Sequence, residues 1–279
     1  MMVRNKKKFG WRVALLRLAV IAVVTVIAVL VVAVMFSDLL IFQPPRRNMP
    51  AAPGMVILPV DHENRITALY HNTPGAKYTL LYSHGNGEDL FDLMRLPEEY
   101  AGHGYSMFIY DYQGYGASGG RPGEKQCYRD VETAYRYLTE VLKLKPENIV
   151  IYERWVGSGP SCYLAEKYPA AALVLESPFT SAFRVLTGIW PLPGDKFPNL
   201  CRIPNIRMPV MVFHGSDDMI IGIGHGRKLH AAANTPKRMV EVSGAGHNDL
   251  VYTAGERYWR ELQEFLNAVA VTPEVTKSR

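Results

Sequence analysis

The apolar residues of this 279-residue chain fall into two unlike patterns. The first is an unbroken apolar run over residues 18–36, in which Thr25 is the only polar side chain. The second, from Gly54 onward, alternates short apolar stretches with longer segments of helical period. Such alternation is typical of a mostly parallel sheet with helices on both faces. The length suits one large domain plus an appendage, so we predict a single α/β domain preceded by an apolar helix.

Apolar stretches of strand length mark the predicted sheet, and they lie at residues 55–60, 66–71, 78–83, 106–110, 149–152, 172–176, 210–214 and 239–242. Two helices are predicted from apolar residues at helical spacing: Val131, Tyr135, Leu138 and Leu142 in the first, and Tyr258, Leu262, Phe265 and Val269 in the second. We expect each to pack one face on the sheet. Open parallel sheets carry their chemistry at the carboxyl ends of the strands, so candidate residues are sought there.

The apolar run predicts a transmembrane anchor over residues 18–42. At about 1.5 Å per residue, residues 18–36 nearly span a hydrocarbon core of about 30 Å, and residues 39–42 extend the run. The segment 1–17 carries six basic residues, whereas only Arg46 and Arg47 follow closely, so the N-terminus is predicted to be cytoplasmic and the folded domain to lie on the opposite side. A cleaved signal peptide is the alternative, although its apolar region is usually shorter, about 7–15 residues.

Charge and cysteine content narrow the classes of function. The formal charge of +5 comes from the N-terminus, because 25 basic and 26 acidic residues remain after Arg17, and nucleic acid is therefore not an expected partner. The three cysteines form no C-x-x-C pair, and we expect neither a metal nor a cofactor. Four prolines in residues 43–53 predict an extended linker. Residues 54–270 then form the domain, and residues 271–279 a tail.

Glycine-rich loops follow two of the predicted strands. The third strand ends in His84-Gly85-Asn86-Gly87-Glu88-Asp89, and the fourth leads into residues 111–120, DYQGYGASGG. Small residues at a strand end let backbone N–H groups point into a cavity, although such a loop taken alone is more often only a turn. A histidine in such a turn is likewise more often structural, so His84 is expected to make a structural hydrogen bond rather than to act as a base.

The ordered set HGNGED, DYQGYGASGG, VGSGPSCYLAEKYP, LESPFTSAFR, DKFPNL, VFHGSDD and GAGHNDL resembles the α/β-hydrolase superfamily, in its branch of membrane-associated serine hydrolases that includes depalmitoylase-like and serine aminopeptidase-like members. The resemblance covers roughly residues 55–265. It implies an Asp-His pair made of Asp218 and His247, with Asp217 as the neighbouring alternative to Asp218. It also implies an oxyanion hole built by the Asn86 loop and the Val156 N–H.

The match breaks at the position of the nucleophile. In this superfamily the catalytic serine lies in G-x-S-x-G on a strained strand-to-helix turn, but residues 153–157, here termed the nucleophile turn, read Glu153-Arg154-Trp155-Val156-Gly157. Trp155 stands in place of the serine and offers no nucleophile, and Glu153 replaces the first glycine. We expect Trp155 to occupy the acyl pocket or displace the turn, and Glu153 to be neutralised, paired or exposed. Whether Arg154 pairs with Glu153 is left open.

Other groups could replace the missing hydroxyl. Ser158 and Ser161 follow the turn, although Ser158 more plausibly caps the next helix than attacks a substrate. Glu153 could act as a carboxylate nucleophile, but it stands two positions before the place of the nucleophile. A smaller departure from the superfamily pattern is Gly222, which stands where a proline is usual after the catalytic acid. The first hypothesis is therefore a membrane-anchored serine ester, thioester or amide hydrolase scaffold that has lost turnover and binds an acyl or ester-like ligand. The alternatives are an active hydrolase using Ser158 with Asp218 and His247, and a non-catalytic scaffold.

Overall fold

A computed structural model describes residues 3–45, 55–188 and 192–271 of the chain. Within those residues the strands are β1 (Met55–Pro59), β2 (Arg65–His71), β3 (Thr79–Ser83), β4 (Ser106–Tyr110), β5 (Ile149–Arg154), β6 (Ala172–Glu176), β7 (Val210–Gly215) and β8 (Lys237–Val242). Each predicted strand is present, and the bounds differ by at most two residues. The largest differences are in β5, which continues through Glu153 and Arg154, and in β8, which begins at Lys237.

The strands form one sheet in the order β1-β2-β4-β3-β5-β6-β7-β8. Strands β1 and β2 are antiparallel to each other, and β2 is antiparallel to β4, whereas β3 to β8 are mutually parallel. The carboxyl ends of β3 to β8 therefore lie at one edge of the sheet, here called the carboxyl edge. This arrangement confirms the predicted α/β-hydrolase fold with a mostly parallel sheet flanked by helices.

The helices cover both faces of the sheet. They are α1 (Val3–Met35), α2 (Ser37–Ile41), α3 (Leu96–Gly102), α4 (Glu124–Arg136), α5 (Ser158–Lys167), α6 (Ala182–Thr187), α7 (Asn199–Arg202), α8 (Gly224–Ala232), α9 (Leu250–Ala254) and α10 (Glu256–Val271). One core lies between the sheet and helices α4, α5 and α8, and the other packs α10 on the opposite face. Alternate residues of the buried strands supply the two cores, for example Leu81 the first and Leu80 the second. Both predicted sheet-packing helices are thus present.

The predicted anchor region contains two helices rather than one. Residues Val13–Met35 are long and apolar enough to cross a membrane, with a mean hydropathy of 3.3, and their most apolar window is not buried against the domain. Helix α1 ends at Met35, and after α2 the side chain of Phe42 is only 2% exposed, with its ring edge-on to Phe197 at 5.9 Å. The last part of the predicted span therefore packs on the domain. Most of the predicted linker (46–53) and the tail from residue 272 onward lie outside the described residues.

Candidate active site

The loop after β3 contributes structural groups to the carboxyl edge. His84 is fully buried, its Nδ1 lies 2.7 Å from the Gly85 carbonyl oxygen, and its Nε2 lies 3.5 Å from Asp111 Oδ1. Burial lowers the pKa of His84 to about 4, so the imidazole is neutral at physiological pH. A neutral, enclosed ring of this kind holds the loop in place, in agreement with the structural role expected for His84.

Asn86 connects this loop to the end of the predicted anchor. Its Nδ2 donates to the Ile41 carbonyl at 2.7 Å, and its Oδ1 accepts the Gln43 N–H at 2.9 Å and the Tyr115 hydroxyl at 2.7 Å. The side-chain amide is therefore used in fixing residues 41–43. Any contribution of Asn86 to an oxyanion hole would have to come from its backbone, and its predicted role there stays a prediction.

The nucleophile turn has a strained backbone at Trp155. This residue has a positive φ of 58°. It is the first residue of the 3₁₀ turn Trp155–Gly157, which connects the end of β5 to α5. A bulky L-residue rarely adopts this conformation, and it persists only where the surrounding structure enforces it. Gly157 permits the close approach of the turn to β3, because a β-carbon there would lie 2.2 Å from the Ser83 carbonyl oxygen. The strand-turn-helix backbone predicted at this point is thus present, with an indole on its central residue.

Asp218 and His247 meet at the carboxyl edge. His247 Nδ1 lies 2.7 Å from Asp218 Oδ2, and Asp218 Oδ1 accepts the backbone N–H groups of Ile220 and Ile221 at 3.0 and 2.8 Å. The side chain of Asp218 is fully buried. Burial by itself would raise the pKa of Asp218, but these hydrogen bonds outweigh it and lower the pKa below its ordinary value. The predicted pair is therefore an ionised carboxylate that orients an imidazole, whereas Asp217 accepts the Ser216 hydroxyl instead.

The indole of Trp155 covers this pair. Its ring stacks on the His247 ring with centroids 4.2 Å apart and planes 16° apart, and only 8% of the His247 side chain is exposed. The guanidinium carbon of Arg154 lies 4.4 Å from the indole centroid, a cation–π distance. The imidazole that a serine hydroxyl would contact in an active hydrolase thus faces aromatic carbon.

The same indole also occupies space beside the glycine-rich loop. A β-carbon at Gly85 would lie 2.5 Å from Trp155 Cε3 and 2.5 Å from Glu88 Oε1. The Gly85 N–H donates to Glu88 Oε1 at 2.6 Å, so this backbone donor already has an acceptor within the protein. Val156, the predicted second donor, is buried in the first turn after Trp155. The groups that would surround a reacting carbonyl are therefore present but enclosed.

Glu153 and Arg154 lie on opposite faces of β5 and do not pair. Glu153 is fully buried, and neither carboxyl oxygen has a hydrogen-bond partner among the residues that the structure describes. Burial, together with the nearby Glu176, raises the pKa of Glu153 well above its ordinary value and so favours the neutral carboxyl group. Of the outcomes expected for Glu153, exposure and pairing are not found among the described residues, and the raised pKa favours neutralisation. Arg154 instead reaches the Asn248 carbonyl, with Nη2 at 3.3 Å.

Ser158 is directed away from the Asp-His pair. Its Oγ donates to the Trp155 carbonyl at 2.8 Å and accepts from Asn199 Nδ2 at 3.1 Å, and the side chain is fully buried. Ser161 is also fully buried. In the part of the chain that the structure describes, no hydrogen bond connects either serine to His247. The expectation that Ser158 caps α5 is wrong, because the helix has no side-chain cap among the described residues and the hydroxyl donates back to the Trp155 carbonyl instead.

A polar cluster at the end of β6 was not identified from the sequence. Glu176 Oε1 accepts hydrogen bonds from Tyr152, at 2.6 Å, and from Tyr258, and the Tyr100 hydroxyl lies 3.2 Å from both tyrosine hydroxyls. Burial raises the pKa of Glu176 to about 7, against the opposing effect of Arg154. The cluster borders a cavity of about 420 Å³ next to Arg154 and Asn248. The signal that the sequence offered for this cluster was Glu176 itself, a carboxylate at the carboxyl end of a predicted parallel strand.

Known proteins share both the sequence and the fold. A family model described as serine aminopeptidase, S33 matches residues 74–191. Alpha/beta hydrolase domain-containing protein 17B of Homo sapiens is 39% identical over 216 residues, which cover 73% of this chain and 72% of that protein. The chain belongs to the α/β-hydrolase domain-containing protein 17 family. The Xenopus tropicalis 17B member of this family is 38% identical over 215 residues, which cover 73% of this chain and 71% of that protein.

Solved structures share the fold of this chain. A Pyrococcus furiosus esterase superposes with a TM-score of 0.68 at 16% identity, covering 81% of this chain and 98% of that chain. At this identity the likeness concerns the fold alone. Together, the curated relatives and the common fold confirm the superfamily and branch that the motifs indicated.

Proposed function

We propose that this chain is a membrane-anchored hydrolase-fold protein of the serine ester, thioester or amide hydrolase type whose turnover is lost or strongly impaired, and which retains binding of an acyl or ester-like ligand. The observation that carries the proposal is the stacking of Trp155 on His247 at 4.2 Å. Acyl transfer needs a hydroxyl that the imidazole can deprotonate, and the indole supplies none at that position. It also excludes a substrate carbonyl from the imidazole face.

The remaining parts of the site support an origin in catalysis. Asp218 holds His247 at 2.7 Å in the arrangement that orients an imidazole as a general base and stabilises the imidazolium formed when it accepts a proton. The turn around Trp155 keeps its positive φ although its side chain is bulky. The loss of the catalytic hydroxyl is confined to the nucleophile turn, so the rest of the carboxyl edge can still bind an acyl or ester-like ligand. The cavity beside Arg154 offers space for it.

Membrane attachment is the second part of the proposal. The span Val13–Met35 has the length of a bilayer-crossing helix, and the basic residues before it favour a cytoplasmic N-terminus. In this arrangement the folded domain lies on the other side of the membrane, with the lipid bilayer as its constant partner.

A serine-directed fluorophosphonate probe tests the loss of turnover on the full-length protein in detergent. We expect no labelling of the unmodified chain and labelling of Trp155→Ser, with Trp155→Ser/His247→Ala as the unlabelled control. Labelling of the unmodified chain that disappears in Ser158→Ala would contradict the proposal and favour the relocated nucleophile. Labelling that survives removal of both Ser158 and Ser161 would place the reactive centre elsewhere.

Ligand binding is tested separately by titrating a long-chain alkyl ester into the same preparation. We expect a change in tryptophan emission that Trp259→Phe removes, because the Trp259 indole lines the cavity beside Arg154. An ester that leaves the emission of the unmodified chain unchanged, and that also fails to bind by equilibrium dialysis, would leave only the scaffold hypothesis.

A further inference from the structure

We infer that the rim of the site is itself a membrane-contact surface, inserted into the interface of the bilayer that α1 crosses. The rim is defined by five exposed side chains, Phe91, Met94, Met219, Ile220 and Tyr252, and is called the site rim below. The inference rests on the membrane anchoring proposed above and adds to it an orientation of the domain. The occupant of the site rim is lipid rather than a second protein.

The site rim consists of large apolar side chains that face outward. Met219 is 93% exposed and Tyr252 91% exposed, and Phe91, Met94 and Ile220 are exposed by 43% to 59%. Elsewhere in the described part of the domain the exposed large apolar side chains are Ile57, on the edge strand β1, and Val141, which lies between α4 and the start of β5. The exposed apolar surface is therefore concentrated at one end of the domain, as at sites of protein or membrane contact.

All five residues lie at the carboxyl edge. Met219 and Ile220 directly follow Asp218, and Tyr252 lies in α9, five residues after His247. Phe91 and Met94 follow β3, and the neighbouring Leu90 N–H donates to Asp111 at the end of β4. The site rim thus lies on segments that follow the strand ends of the carboxyl edge, as do the Asp-His pair and Trp155.

The anchor joins the domain at the same edge. Asn86, in the loop beside the site, hydrogen bonds to residues 41 and 43 at 2.7 and 2.9 Å. Lys196 Nζ lies 3.5 Å from Asp38 Oδ1, and a β-carbon at Gly194 would lie 2.6 Å from the Val34 side chain, within the candidate span. The carboxyl edge is therefore in contact with the end of the membrane-crossing helix.

The distances involved place the site rim at the level of the lipid headgroups. From Met35 to Ile41 the chain is almost entirely helical, so six residues advance it by only about 9 Å. The headgroup region on each side of a bilayer is roughly 5–8 Å thick. A domain held this closely cannot keep the whole carboxyl edge in bulk water, and exposed Met, Ile, Phe and Tyr side chains are suited to the interface. An acyl ligand could then reach the site from the leaflet without crossing water.

Site-specific fluorescence tests the inference on the full-length chain in phosphatidylcholine vesicles. In a Cys201→Ser background, an environment-sensitive nitrobenzoxadiazole label is attached to Met219→Cys or Tyr252→Cys, and to Glu147→Cys as the matched control. Cys127 and Cys162 are buried, and the side chain of Glu147 is 67% exposed ahead of β5, at the opposite edge of the sheet. Because Met219 and Tyr252 are almost fully exposed, their replacement should leave the fold intact.

We expect the labels at 219 and 252 to emit at shorter wavelength than the label at 147 and to lose most of their emission to nitroxide-bearing lipid, whereas the label at 147 keeps its emission. Protein that floats with the vesicles while the rim labels remain unquenched would overturn the inference and leave the anchor in place. A blue shift without quenching by the lipid would indicate a second protein copy and would also overturn it. Protein that does not float would refute the anchor, and the inference with it.

Discussion

The two halves of the candidate site differ in how well their charged groups are accommodated. In the half formed by Asp218 and His247, a buried carboxylate accepts a side-chain and two backbone hydrogen bonds, and its pKa is lowered. In the half formed by the nucleophile turn, the buried carboxyl group of Glu153 has no hydrogen-bond partner among the described residues, and its pKa is raised. The first half has the organisation predicted for a catalytic Asp-His pair, and the second carries the cost of burying a carboxyl group that lacks a partner among the described residues.

The largest expected effect comes from restoring the second half. Replacing Trp155→Ser together with Glu153→Gly should give hydrolysis of short p-nitrophenyl esters at a rate at least on the order of 10² above the unmodified chain, because a hydroxyl would then face a positioned base. The rate is measured by release of p-nitrophenolate.

The control for this gain is the same double variant carrying His247→Ala, which should return to the background rate. If the double variant shows no hydrolysis, the defect extends beyond the nucleophile turn, and the contrast between the two halves loses its functional meaning.

The next effect concerns the stability cost of Glu153. Because its folded pKa is raised, its contribution to stability is present below the ordinary pKa of about 4.5 and is lost as the pH rises, by at most about 1.4 kcal/mol per pH unit. Glu153→Gln cannot titrate and should remove this loss, so its stability relative to the unmodified chain should increase from pH 5 to pH 8. The free energy of unfolding of both proteins is measured by urea unfolding in detergent at pH 5 and pH 8.

Glu147→Gln is the matched control, since the Glu147 side chain is exposed and its replacement should change stability little at either pH. A Glu153→Gln variant whose relative stability is the same at pH 5 and pH 8 would mean that Glu153 is ionised in the folded protein.

Asp218→Asn tests the half of the site formed by Asp218 and His247. The lowered pKa of Asp218 means that the carboxylate contributes stability above its ordinary pKa, and that this contribution is lost as the pH falls through the folded value. At pH 7 the substitution should lower the free energy of unfolding by about 1.5–3 kcal/mol, the usual range for a hydrogen bond to a charged group. Asp217→Asn provides the comparison, because the Asp217 side chain is exposed and, within the described residues, accepts the Ser216 hydroxyl alone. Equal losses from both variants would remove the distinction between the two carboxylates.

The smallest effect is expected at the attachment of the anchor. Asn86→Ala removes an acceptor for the Gln43 N–H and a donor to the Ile41 carbonyl, at a cost of about 1 kcal/mol. Amide hydrogen exchange at Gln43 should accelerate, whereas Asn205→Ala, which removes a surface hydrogen bond to Glu166, should leave it unchanged. Unaltered exchange at Gln43 in Asn86→Ala would indicate that packing of Phe42, rather than Asn86, holds the anchor to the domain.

Much of the fold could be predicted because its signals are local. Apolar stretches bounded by glycine and polar residues marked each strand, and helical spacing marked α4 and α10. The end of the predicted anchor was harder to predict, since Phe42 is as apolar as the residues of the span, and its burial against the domain, with Phe197 among its contacts, is visible only in the folded chain. The cluster around Glu176 was not found because its members come from α3, β5, β6 and α10, which no sequence spacing connects.

The sequence by itself determined which chemical groups this protein has: the Asp and His at the ends of β7 and β8, and a tryptophan where a serine would be needed. Only the tertiary structure decided what those groups do to one another. It directed Glu153 into the core and Arg154 over the indole, and it placed Trp155 on the face of His247. The physical reason is that the chemical type of a side chain is local information, whereas its burial, its partners and its pKa depend on residues that only the folded chain brings together.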